Sequence, residues 1–214
     1  MLTPEQARRW YPADDPVHGF DHVRRVYRMA ERLARAEGAD LEIVQAAALL
    51  HDAQDSLTGS EAQEGEKRSS HQLHSAEIAA SALQAEGWAP ERIAAVQHCI
   101  RAHRFRDESI APQTLEAKVL FDADKLDAIG AIGVARALAF AIAAGSPVYG
   151  RVSEGFLKTG ELERGETHSA YHEYLFKLVK LKDRLHTPTA RSLAEQRHAR
   201  LVEFFEALAA EMES

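Results

Sequence analysis

Leu41-Glu42-Ile43-Val44-Gln45-Ala46-Ala47-Ala48-Leu49-Leu50-His51-Asp52 decides the fold of this chain. Leu41, Val44 and Ala48 recur in steps of three and four, with Ile43, Ala47 and Leu50 beside them. That spacing predicts a helix from about Asp40 to His51. Gln45 alone interrupts an apolar run that should be buried. The same stepping leads to His51 and delivers His51-Asp52 at the C-terminal end of the helix, on its buried side. An ionisable pair pressed against a core is costly unless its charge is compensated, and a bound metal is one common compensation. His22, with an Asp from Asp122-Ala123-Asp124-Lys125-Leu126-Asp127, would complete a His/His/Asp/Asp set. Such a set points to metal-dependent hydrolysis.

Helical periodicity extends in both directions from this segment. Thr3-Pro4-Glu5-Gln6 reads as a capping box with Pro at the first helical position. A helix is expected from about Asp21 to Glu37, with Val26, Met29, Ala30 and Leu33 inward and Gly38 as its stop. His22 lies four residues before Val26, on that inward stripe. Ser56 to Ser70 reads as a polar loop, followed by amphipathic segments at Leu73 to Glu86 and Pro90 to Ala102. A long helix starts near Thr114. Ser146 to His168, with Pro147, Gly150, Gly155, Gly160 and Gly165, reads as a mobile loop and a possible lid. Thr187-Pro188 restarts a helix that carries Leu193, Ala194, Leu201, Phe204 and Leu208 as its apolar positions. No segment alternates with period two over a strand's length, so the fold class is all-α. The expectation is a single compact domain over residues 1–214, with a metal-site core at about 18–130 and C-terminal helices at about 168–212.

Composition excludes some partners. Lys plus Arg number 26 and Asp plus Glu 33, a net charge of −7 that does not attract nucleic acid or anionic lipid. An anionic substrate therefore needs a local cation. Met1 to Gln6 lacks the basic and apolar regions of a secretory leader. Ala128 to Gly145 is apolar except for Arg136, and its Ala and Gly content suits a buried core helix better than a membrane span. The single cysteine, Cys99, fits a reducing compartment, and a cytoplasmic location is the expectation.

Two imidazoles and two carboxylates make a mixed, fairly hard site, suited to a divalent ion such as Mn, Fe, Co, Ni or Mg. One cysteine rules out a thiolate-rich zinc site. Periodicity does not choose between Asp122 and Asp124, because apolar residues surround every Asp in that segment. His71, His74, His98 and His103 gather in the middle of the chain. Lys67-Arg68 and Arg101-Ala102-His103-Arg104-Phe105-Arg106 are basic islands whose forks could orient phosphate.

Taken in order, His18-Gly19-Phe20-Asp21-His22-Val23-Arg24-Arg25-Val26, His51-Asp52-Ala53-Gln54-Asp55 and Asp122 through Gly130 resemble the HD superfamily of metal-dependent phosphohydrolases. Ala128 to Arg136 and Leu178 to Glu195 are similar to bacterial single-domain members. The resemblance implies that His22, His51, Asp52 and Asp124 hold the metal, Asp124 because Ala123-Asp124-Lys125-Leu126 matches the family's Ala-Asp-x-Leu run. It implies that Asp52 both ligates and holds the attacking water. His74 and His103 match positions lining the pocket or holding a second metal. His18, Lys125 and Asp127 are further candidates for substrate contact, while His98, His168, His172, His186 and His198 read as surface or structural. The implied substrate is a small phosphorylated molecule, a nucleotide foremost, with neither nucleic acid nor membrane as partner. Two rival readings are a di-iron oxygenase and a non-catalytic regulatory module that binds metal and nucleotide. The Gly-Tyr-Pro signature of cyclic-dinucleotide-cleaving relatives is absent, as is a P-loop.

Overall fold

The computed structural model describes residues 2–12, 19–54, 64–104 and 110–214, the stretch 64–71 by its backbone alone. Every regular element among them is helical. The chain divides into two compact units, residues 1–124 and 125–214.

In the first unit, α1 (Pro4–Ala7) carries the capping box read from Thr3 and Gln6, and a 3-10 turn (Arg8–Trp10) follows it. Helix α2 (Phe20–Glu37) ends at Gly38, whose φ of 77° only glycine adopts without strain. Asp40 then caps α3 (Leu41–Leu50), its carboxylate accepting from the amides of Glu42 and Ile43 at 3.0 and 3.1 Å. The remaining helices are α4 (Glu64–Ala85), α5 (Pro90–Arg101) and α6 (Leu115–Asp127). Helix α3 packs against α2, α4 and α5 and is buried from Ile43 to Leu50. Gln45, the polar break in its sequence, donates from Nε2 to Glu31 on α2. Cys99 is buried, and desolvation pushes its thiol up to about 12, which leaves it chemically quiet.

The expected loop at 56–70 is corrected in its second half, because residues 64–70 belong to α4; residues 56–63 lie outside the described residues. Glu64, Glu66, Lys67 and Arg68 are good helix formers, and Gly65 in the first turn costs too little to stop a helix anchored downstream.

The second unit comprises α7 (Gly130–Ala143), α8 (Glu154–Thr159), α9 (Ala170–Phe176), a 3-10 stretch (Leu178–Arg184) and α10 (Pro188–Glu213). Tyr174 stacks on Phe205 with ring centroids 4.5 Å apart. Phe205 is fully buried and Phe204 exposed, so the buried aromatic lies one residue past the apolar position named from the sequence. Helix α7 buries Gly133, Val134 and Ala141 but exposes Ile132 and Ile142, so it is half-buried rather than a core helix. No single helix among the described residues is long and apolar enough to cross a membrane.

The segment Ser146 to His168 is also more structured than its glycines suggest. It contains α8, which buries Phe156, and Glu166 binds it together. Glu166 accepts from the Ser153 amide and hydroxyl, from the Glu163 amide, and meets His172 Nε2 at 3.0 Å. The two main-chain donors are the chief reason its carboxyl is held at about 2.

Candidate metal centre

Three helix ends and one mid-helix turn build the site. Residue 22 sits in the first turn of α2, and residues 51 and 52 follow the last turn of α3. Residue 103 follows α5, and residue 124 lies in α6. Each helix buries its apolar stripe, and the stripe fixes the direction of the ligand-type side chain that continues it.

The C-terminus of α3 is the best defined part. A helix leaves its last carbonyls without amide partners. Here the Ala48 carbonyl meets His51 Nδ1 at 2.8 Å, the Leu49 carbonyl accepts from the Tyr11 hydroxyl at 2.8 Å, and the Leu50 carbonyl accepts from the Ala53 amide at 3.2 Å. Just beyond, the Ser75 hydroxyl of α4 donates to the Ala53 carbonyl, and the Gln54 amide to the Trp10 carbonyl. The turn that carries His51-Asp52 is thus tied on both sides.

His22, His51 and His103 are buried, and Asp52 and Asp124 keep about one-eighth of their side-chain surface exposed (13% and 14%). The Nε2 atoms of His22 and His51 face each other at 3.3 Å. Asp52 Oδ2 stands 3.4 Å from His51 Nε2 and 3.7 Å from His22 Nε2, and Asp124 Oδ1 is 3.5 Å from His22 Nε2. The other oxygen of Asp52, Oδ1, points to His103 Nε2 at 3.5 Å. The His103 Nδ1 meets the Ile100 carbonyl at 2.5 Å.

This donor set fits a divalent cation. With Nδ1–H donated to a main-chain carbonyl, the His51 ring turns the Nε2 lone pair inward. Burial, foremost, holds the His51 imidazole below its ordinary range; the neighbouring His103 acts in the same direction, while Asp52 and Asp124 oppose it. A neutral ring is the ligating form. Ligand atoms of His22, His51 and Asp124 all lie within 4.8 Å of one another. Donors bound at about 2.1 Å to one ion stand roughly 3–4 Å apart, so only small closure is needed.

Asp122 is fully buried on α6, two residues and some 200° around the helix from Asp124. Asp127 is buried and accepts from Arg136 Nη1 at 3.0 Å. Lys125 is buried in α6, and His74 is exposed on α4. His18 lies outside the described residues. Arg104, next to His103, donates to the buried Gln72 at 3.0 Å. His98 accepts from the Gln113 amide, and His172 is buried between Ser169 and Glu166. The sequence reading missed Tyr11 and Ser75; only a buried-sized aromatic next to Trp10 hinted at the first.

Comparison with known proteins adds four findings. A family model described as HD domain matches residues 19–129. The uncharacterized protein YpgQ of Bacillus subtilis is 34% identical over 211 residues, covering 95% of this chain and 91% of YpgQ. Among solved structures, YpgQ in complex with ADP is similar with a TM-score of 0.71 and 33% identity, over 98% of this chain and 97% of that one. An HD-superfamily hydrolase from Bacillus thuringiensis is similar with a TM-score of 0.63 and 29% identity, over 92% and 87%.

Proposed function

The chain belongs to the HD domain family, and from that premise we propose that it is a metal-dependent phosphohydrolase whose substrate is a nucleotide or a closely related phosphate compound. The observation that carries the reading is the convergence of His22, His51, Asp52 and Asp124 at 3.3–3.7 Å. The ADP complex of YpgQ supports the nucleotide. A divalent ion bound by these residues supplies Lewis acidity and lowers the pKa of a coordinated water.

The chain's own part follows from the split orientation of Asp52. Oδ2 faces the two imidazoles, and Oδ1, beside His103, orients the attacking water and accepts its proton. The water oxygen bonds to phosphorus as the bond to the leaving oxygen breaks. His103 Nε2, 3.5 Å from Oδ1, holds that carboxylate in place. Arg104 offers a guanidinium fork to phosphate oxygens beside it.

The test is a turnover screen of nucleoside mono-, di- and triphosphates with Mn, Co, Ni and Mg, read by phosphate and pyrophosphate release. Metal-dependent release that disappears in His51→Ala is the expected result. Stoichiometric metal with no release from any substrate would leave a binding module, and oxygen uptake by an iron-loaded protein would favour the oxygenase class.

A further inference from the structure

The family segment begins at residue 19, yet part of the metal centre's support comes from residues before it. Tyr11 is buried, and its hydroxyl donates to Leu49, one residue short of the end of α3. The adjoining Trp10 carbonyl accepts from Gln54, two residues past Asp52. On its other side the Tyr11 ring packs against Phe20, with centroids 5.7 Å apart, and Phe20 opens α2 two residues before His22. One side chain therefore touches both ligand-bearing helix ends.

We propose that residues 2–12 act as a strap that sets the separation of His22 from His51-Asp52, with Tyr11 as its positioning residue. The proposal rests on the metal-site reading above. Tyr11 acts through the main chain of α3 and the start of α2. Without its hydroxyl, the Leu49 carbonyl loses its donor and the turn that aims His51 loses one of its ties. The imidazoles then approach a common ion less well, although the ligand set is intact.

The test compares Tyr11→Phe with Arg92→Ala in the full chain. Arg92 binds Asp40 and Glu42 at the opposite, N-terminal end of α3, at 3.0 and 2.7 Å. Its loss weakens the same helix without touching the His51-Asp52 turn. Mn2+ affinity is measured by equilibrium dialysis, and Tm is measured without metal. Tyr11→Phe should weaken Mn2+ binding about tenfold, the lower end of what outer-sphere partners of metal ligands contribute. Arg92→Ala should stay within about twofold of wild type even where its Tm falls as far. Wild-type affinity in Tyr11→Phe, or an equal loss in both variants, overturns the strap. Absence of Mn2+ binding by the wild type overturns the metal centre itself, and the strap with it.

Discussion

Asp124→Asn, set against Asp122→Asn, is the sharpest check on the metal centre. The substitution keeps the shape of the side chain and removes one of two carboxylates that approach His22 within 3.7 Å. Unit charges about 4 Å apart at an effective dielectric of about 20 interact by about 4 kcal/mol. Discounting for the partial exposure of Asp124 leaves about 2.7 kcal/mol, or about a hundredfold in Kd. In the wild type, Mn2+ at one hundred times Kd stabilises the folded state by about 2.7 kcal/mol. For a chain of this length that is about 5–11 °C in Tm. At the same Mn2+ concentration Asp124→Asn retains about 0.4 kcal/mol, a rise of about 1–2 °C. Asp122→Asn alters a buried group and lowers the metal-free Tm, but it leaves the metal-induced rise whole. Differential scanning fluorimetry with and without Mn2+ reads both. A full rise in Asp124→Asn together with its loss in Asp122→Asn would refute the assignment.

Three further outcomes follow from the structure. Arg136→Met removes one partner of buried Asp127 and should cost about 2 kcal/mol, read by urea unfolding, the worth of a hydrogen bond to a charged group. Glu166 has a carboxyl held at about 2, below its ordinary 4.5, so its stabilising contribution is complete above pH 4.5 and is lost as pH falls toward 2. Glu166→Gln should lower Tm at pH 7 and flatten that acid limb; parallel curves for the two proteins would contradict the network. Limited proteolysis between Ser146 and His168 should be slow and insensitive to added Mn2+ and ADP, since the Glu166 network and buried Phe156 already anchor the segment. Protection that appears only with ligand would restore the lid reading.

The helices that frame the centre were legible because local chemistry agrees with their packing. Gly38 and Asp40 mark the boundary between α2 and α3 on both accounts, and the stripe ending in His51 points where the sequence stepping puts it. Asp122 and Asp124 could not be told apart, because α6 is buried on nearly every side from Ala117 to Asp127 and so carries no amphipathic signal. Phe204 and Phe205 failed for a related reason: adjacent aromatics offer two registers, and the choice is made by Tyr174 from a distant helix. The anchoring of residues 146–168 depends on Glu166, an exposed-looking acid in a polar stretch, two of whose partners are main-chain amides. Tyr11 stayed hidden because its acceptor lies 38 residues away.

The order of the candidate ligands along the chain has a consequence for biosynthesis. His22, His51 and Asp52 leave the ribosome within 30 residues of one another, and Asp124 follows Asp52 by 72 residues. At about 5–20 residues per second, that is a gap of roughly 4–14 s. During this interval the nascent chain presents two imidazoles and one carboxylate, a softer and less charged trio than the finished set. Such a trio ranks competing ions by their intrinsic affinity for nitrogen, which favours copper and nickel over manganese and magnesium. In the proposed site, arrival of α6 would add the second hard oxygen donor, so an ion met early and the ion preferred by the completed set need not be the same.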